Sequence, residues 1–239
     1  MASNYVEWQL NLFDMRLNRP IADTTGLYAV MTAATPTLAT VYSDAQGTSL
    51  TLPATMNNGA MRFFTDVSVT TVDVTLATAN GHSKYLRGVT PSTQRILIDP
   101  EQIRHLMYVP FKTGTSAAVV DSGLKLSTAM LVRSAYARCD AVGSTTALLS
   151  AGTTTGSVTG FLSAVICTVT GWLGLAEATL STGTIGSLLS VGGTNQFVRG
   201  FHRPANATSG ISIIYQTDVT NTTAAQGFIV IEYDRLVAA

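Results

Sequence analysis

A chain of 239 residues with 14 basic and 14 acidic side chains is long enough for one large domain or two smaller ones, and folding should bury roughly three-quarters of its chain surface. Charged residues make up only 12% and hydrophobic residues 46%, so small polar residues, threonine above all, have taken the place of charge. A formal net charge of zero excludes a dominant electrostatic grip on nucleic acid or on an anionic membrane, and it leaves little repulsion between copies, which suits a chain that works inside an assembly.

The start, Met1-Ala2-Ser3-Asn4-Tyr5-Val6-Glu7, has neither a basic opening nor an apolar signal core, so synthesis in a cytoplasm is expected. The next residues alternate, and this puts Val6, Trp8, Leu10 and Leu12 on one face of a half-buried strand. Further β-branched and aromatic runs predict strands over Leu38 to Tyr42, Met61 to Thr65, Val67 to Ala77, Arg95 to Ile98, Met130 to Ala137, Phe161 to Val169, Ile211 to Gln216 and Gly227 to Tyr233. Between them, Asp44-Ala45-Gln46-Gly47, Asn57-Asn58-Gly59, Asn80-Gly81, Asp121-Ser122-Gly123 and Gly192-Gly193 supply the residues that tight reversals require. One short helix is predicted over Asp99 to Met107, where Asp99 can cap, Pro100 suits the first turn, and Ile103, Leu106 and Met107 share a face; a tight turn between sheets is the alternative. The most apolar run, Gly160 to Ala176, is broken by Ser163, Thr168, Thr170, Gly171 and Gly174, too often for a membrane helix.

From Ala141 to Val198 the only formally charged residue is Glu177, which reads as surface covered by neighbouring subunits. A boundary is expected near Tyr108-Val109-Pro110. The predicted architecture is therefore mainly β, with two β-sandwich or barrel-like modules and at most one short helix. Residues 1 to 108 form an N-terminal β module with a projecting N-terminal strand, and 109 to 239 a C-terminal module like a β-sandwich or jelly roll.

Material for catalysis is thin. His82, His105 and His202 sit in no metal-ligand spacing and beside no nucleophile motif, and His82 and His202, each close behind a glycine, read as exposed or interface residues. Cys139 and Cys167 show no zinc spacing and read as reduced core residues. Glu232 and Asp234, two apart on the last strand, face the same side, which points to solvent or to an arginine partner, with Arg235 adjacent. No catalytic residue, metal or cofactor is predicted, and the chain is read as a non-enzyme. Lys84-Tyr85-Leu86-Arg87 and Arg199-Gly200-Phe201-His202-Arg203 each place two cations around an aromatic, a pattern that can stack a base or a sugar and that otherwise reads as a solvated hairpin or a subunit contact.

Val41 to Pro53, followed by Asn58-Gly59-Ala60-Met61-Arg62-Phe63-Phe64 and Val72-Asp73-Val74, resembles the strand-turn-strand segment of many tailed-bacteriophage virion proteins. Val120 to Leu126 leading into Met130 to Tyr136, Gly160 to Val165 with Thr170-Gly171-Trp172, and the pair Ile211 to Tyr215 and Gly227 to Tyr233 are also similar to segments of phage head or tail proteins. The resemblance implies a virion structural protein, most like a capsid decoration or cement protein that binds the outer surface of the major capsid lattice and stabilises the head. Its partners would be the major capsid protein and its own copies in a dimer or trimer, with no nucleic acid and no membrane. Its place would be the capsid surface, after synthesis in the host cytoplasm. Trp8, Leu10, Phe13, Tyr85, Arg87, Arg199 and Phe201 are the expected interface residues. The alternative is a tail or baseplate protein that binds carbohydrate through Trp172, Tyr85 or Phe201.

Overall fold

Period-two burial governs the first strand, as its sequence requires: in β1 (Tyr5–Asp14) Trp8, Leu10 and Leu12 are buried, while Glu7 is exposed and Gln9 and Asn11 are half-buried. The computed structural model describes residues 4–21, 25–112, 118–126, 130–143, 148–154, 158–167, 170–173, 184–185, 211–217 and 225–235, and among these the fold is all β, with no helix. β1 is the middle of its sheet. It pairs antiparallel with β2 (Arg19–Pro20) and β5 (Ala60–Asp66), and parallel with β8 (Thr93–Ile98).

A second sheet runs in the order β4 (Ala54–Met56), β3 (Gly26–Thr32), β6 (Val72–Thr78), β7 (Ser83–Val89). Trp8, Leu10, Met61, Phe63 and Ile96 of the first sheet meet Tyr28, Val30, Val74 and Leu76 of the second in one apolar core. The third sheet is β14 (Gly171–Leu173), β11 (Met130–Ala141), β17 (Gln226–Arg235), β9 (Arg104–Lys112), and the fourth is β10 (Val119–Leu126), β16 (Ile211–Thr217), β12 (Leu148–Thr153), β13 (Leu162–Ile166), β15 (Thr184–Ile185), both antiparallel. Their facing side chains, among them Met107, Val109, Phe111, Leu124, Leu149, Ile213, Ile229 and Ile231, form the second core.

The two sandwiches are stacked. Every residue of β6 is buried: Val72, Val74 and Leu76 face the first core, while the Thr75 hydroxyl donates to the Tyr108 carbonyl (3.0 Å) and Ala77 joins the second core. β17 alternates likewise, Ile229, Ile231 and Tyr233 toward the second core, Phe228 and Val230 toward Met31 across the seam. The middle strands β6 and β17 are thus covered on both faces, which removes from them the polar alternation a one-sided strand would show.

Several sequence expectations change. The segment from Asp99 is a turn followed by β9: the Asp99 carboxylate accepts the Glu101 N–H (3.0 Å), its carbonyl accepts the Gln102 N–H (3.1 Å), and the strand then begins at Arg104. Because β9 runs unbroken through Tyr108-Val109-Pro110, the change of module falls before Arg104, and Pro110 is tolerated because β9 is the edge strand of its sheet. The N-terminal strand does not project; it lies between hydrogen-bonded neighbours. Leu38 to Tyr42 makes only isolated bridges, at Leu38 and Tyr42, and Gly123 (φ 71°) lies in a bulge inside β10 instead of a reversal. The Asp44-to-Gly47 turn and the Asn58-Gly59 hairpin are present, with Asn58 at φ 48° and Gly59 at φ 70°. Gly192-Gly193 lies outside the described residues.

Candidate functional site

At one end of the stack, β7, β8, β9, β11 and β17 surround a cleft of about 620 Å³. β7 brings Lys84 and Tyr85, β9 brings Arg104, Leu106 and Tyr108, β11 brings Tyr136, and β17 brings Glu232. These side chains converge because the strands come from three stacked sheets.

Its aromatic part is continuous. Tyr85 and Tyr108 stack with ring centroids 4.9 Å apart, Phe228 supports both from the seam at 5.2 and 5.9 Å, and Tyr136 meets the Trp172 ring edge-on at 5.4 Å. Trp172 is 49% exposed and lies beneath the Arg138 guanidinium, 5.7 Å from its ring centroid. Tyr85 is fixed from behind: its hydroxyl donates to Asp73 (2.9 Å), a buried carboxylate that also accepts the Ala34 and Gly88 N–H groups (3.1 and 2.8 Å). Burial, then that anionic partner, push the Tyr85 hydroxyl pKa far up, and burial does the same to Tyr136 in smaller measure. Tyr136 therefore keeps a neutral hydroxyl, while Tyr85, its hydroxyl held by Asp73, offers the cleft its ring.

The polar rim is an ion network. Arg104 lies 3.4 Å from Glu232 and 3.8 Å from Asp234, Arg133 donates to Asp234 (2.7 Å), and the Ser134 hydroxyl donates to Glu232 (2.9 Å). The acid pair does share a side, but its cations are Arg104 and Arg133; Arg235 points elsewhere. The Lys84 ammonium donates to the Leu97 carbonyl (2.6 Å), tying β7 to β8.

Behind this rim the seam holds two histidines, His82 and His105, 6% and 4% exposed; the sequence places His82 at an exposed or interface position, and within the chain it is buried instead. Its turn packs inward because Tyr233 donates to the Gly81 carbonyl (2.8 Å). The His82 and His105 rings meet edge-on at 5.4 Å, and His105 stacks on Tyr233 at 5.6 Å. The Arg235 guanidinium lies 2.5 Å from His82 Nε2 and donates to the Pro100 carbonyl. With Nε2 accepting, the His82 proton sits on Nδ1, which is buried and finds no partner among the described residues. His105 faces the Gln102 carbonyl through Nε2 (3.0 Å) and accepts the Ser83 N–H at Nδ1 (3.5 Å). Burial, reinforced by Arg235, pushes His82 down to about 4 and lowers His105 as well.

Of the expected interface residues, Tyr85 lines the cleft and Arg87 is exposed further along β7. Phe13 is half-buried with the Arg95 guanidinium 4.7 Å over its ring. Trp8 and Leu10 are not available as surface anchors: both are fully buried, and Trp8 stacks on Phe63 at 5.6 Å while its indole N–H donates to Thr65 (2.9 Å). Arg199 and Phe201, like His202, lie outside the described residues. Tyr108, Tyr136, Arg104 and Glu232 were not singled out as one site, and the available signal was the alternation of His105, Met107, Val109 and Phe111, which turns Tyr108 to the other face. Among the described residues no group of three or more His, Cys, Asp or Glu could hold a metal ion, and no helix is long and apolar enough to cross a membrane. Comparisons with protein-family models, curated proteins and solved structures returned no match.

Proposed function

We propose that this chain is a structural component of a tailed-bacteriophage virion, of the capsid-decoration type, and that it acts by surface contact with the capsid lattice and with its own copies. The observation that supports this reading is the outer edge of the fourth sheet. β10 is the terminal strand there, and among the described residues it pairs along one side only, with β16, while Val119 and Val120 are 52% and 39% exposed. An open strand edge with apolar side chains is a template for a strand from another chain: the ladder groups give affinity and the side chains give register. Weak contacts of this sort suffice on a lattice, where each copy touches several neighbours and effective concentration multiplies them. The test replaces Val120 with Lys, a change on an exposed edge that should leave the melting temperature within a few degrees. Occupancy on purified heads is then measured by electron microscopy. The reading requires a loss of occupancy; unchanged occupancy, or absence of the wild-type protein from purified particles, overturns it.

A second reading has its own observation. Tyr85, Tyr108 and Tyr136 converge on one cleft beside Arg104 and Glu232, and aromatic rings edged by donors and acceptors suit a sugar, whose C–H faces stack while its hydroxyls bond. In this reading the chain is a carbohydrate-binding component of tail or baseplate. Binding of a glycan array by the wild-type protein, weakened about tenfold in Tyr136→Ala, supports it; no binding to any glycan sinks it.

A further inference from the structure

The chain contains two cysteines, and the fold brings them together. Cys139 lies near the end of β11 in the third sheet, and Cys167 immediately follows β13 in the fourth. Both are fully buried in the second core, at 1% and 0% exposure. The backbone joins the two segments directly, since Gly143 N–H donates to the Cys167 carbonyl (3.1 Å). The side chains are neighbours too: both belong to the second core and each thiol perturbs the other, while the Cys139 thiol reaches the Ala141 carbonyl (3.1 Å) and the Cys167 thiol the Val165 carbonyl (3.8 Å). The facing sheets thus set the chain's two thiols side by side in one core.

We infer that Cys139 and Cys167 form a redox-active pair that closes to a disulfide and so ties the third sheet to the fourth. Cys139 gives up its proton the more readily: the neighbouring Cys167 side chain lowers its pKa, whereas the Cys139 side chain and burial raise that of Cys167. The oxidant is a low-molecular-weight disulfide. The Cys139 thiolate attacks one of its sulfurs and expels the first thiol. Cys167 then attacks the Cys139 sulfur and expels the second. The two cysteines lose two electrons and two protons, and the small disulfide gains them as two free thiols. Burial keeps the pair from exchange in the closed fold, so closure takes place during folding or local opening.

The test refolds the reduced full-length chain in a series of reduced and oxidised glutathione buffers. The refolded chain, identified by its wild-type circular dichroism, is then analysed by intact mass and by peptide mapping after alkylation. Closure appears as a mass 2 Da lower than that of the reduced chain, with Cys139 and Cys167 peptides linked, and a higher thermal midpoint that added dithiothreitol reverses. Cys167→Ser should show neither the mass loss nor the reversible shift, which separates closure from a change of buffer. Where refolding yields no soluble chain, native protein held in the same buffers with urea just below its unfolding transition, which permits local opening, provides the reading. Two free thiols per folded chain at the most oxidising poise, or a disulfide between chains in place of one within the chain, would overturn the inference.

Discussion

Acid should loosen the seam between the two sandwiches, and the size of the effect follows from His82. Its ordinary value of 6.5 falls to about 4 in the folded chain, chiefly through burial and then through Arg235, with Asp99 as the opposing anion. His105 contributes in the same direction, since burial lowers it too and Arg235 faces it as well. A histidine whose folded pKa is depressed takes up its proton more readily in the unfolded chain. The stability it contributes is therefore complete above pH 6.5 and is lost as pH falls toward 4. The full His82 shift is worth roughly 3 kcal/mol, and about 2 kcal/mol of that is gone by pH 5. A loss of this size moves the urea midpoint by on the order of 1 M. The variant is His82→Gln, whose amide oxygen can accept from Arg235 in place of Nε2 and which does not titrate. Urea unfolding from pH 8 to pH 4 should show that His82→Gln retains most of its midpoint where wild type declines. Adding His105→Gln should flatten the profile further. Asp44, Asp66 and Asp99 have pKa values lowered by hydrogen bonds to their carboxylates, so their contribution is lost below the histidine window and does not blur it. A His82→Gln profile that falls as steeply as wild type between pH 6.5 and pH 4 would refute the reasoning.

Trp8→Ala removes a ring stacked on Phe63 and the donor to Thr65, and should cost about 4 kcal/mol in urea unfolding. Loss of particle binding at wild-type stability would instead restore Trp8 to an interface. Gly227→Ala would set a Cβ 1.9 Å from the Arg138 carbonyl oxygen, backbone against backbone, and should cost about 3 kcal/mol; a melting temperature within a degree or two of wild type would contradict this. Gly88→Ala is the matched control, because at φ +62° it meets nothing within 4 Å and carries only the left-handed backbone cost of about 1 kcal/mol. Closing the Cys139 to Cys167 loop should raise stability by about 3.5 kcal/mol on the chain-entropy account, read as the difference in urea midpoint with and without reductant.

What could be read from the sequence was whatever depends on neighbours in the chain. β1 alternates, β17 is a β-rich run, and the turns at Asp44 to Gly47 and Asn58-Gly59 carry their own backbone chemistry, so each was legible. β3 was not, because Tyr28, Ala29, Val30 and Met31 are buried in succession between two layers and leave no alternation to detect. The helix predicted over Asp99 to Met107 rested on Ile103, Leu106 and Met107 sharing a helical face. It lost to the period-two set His105, Met107, Val109 and Phe111, which gains a full ladder from β17, a partner remote in sequence. The cleft was legible in pieces, at Lys84-Tyr85, where aromatic and basic residues adjoin, and at Glu232 of the acid pair, but not as one site. Tyr108 and Tyr136 reach it through the stacking of sheets, and no local pattern encodes that. The same reason hid the histidine pair: a residue behind an Asn-Gly turn reads as exposed until another sheet covers the turn.

The seam itself is joined differently from the two cores. Across it Thr75 donates to the Tyr108 carbonyl, the Ser83 hydroxyl to the Leu106 carbonyl (2.8 Å), Tyr233 to the Gly81 carbonyl (2.8 Å), and Thr37 to the Gln226 side chain (2.9 Å). Apolar contact there is a small set centred on Met31, Phe228 and Val230, whereas each core has a far larger one. Apolar packing is non-directional and tolerates small slips, but hydrogen bonds fix distance and angle, so these bonds set the position of one sandwich on the other. The cleft inherits that geometry, because Tyr85 stands on one sandwich and Tyr108, Tyr136 and Glu232 on the other. Charging His82 and His105 beside Arg235 adds repulsion at the seam and none inside either core. Falling pH should therefore disturb the cleft before it melts the sheets, and hydrogen exchange at acid pH should open Ser83 and His105 ahead of Trp8 and Ile229.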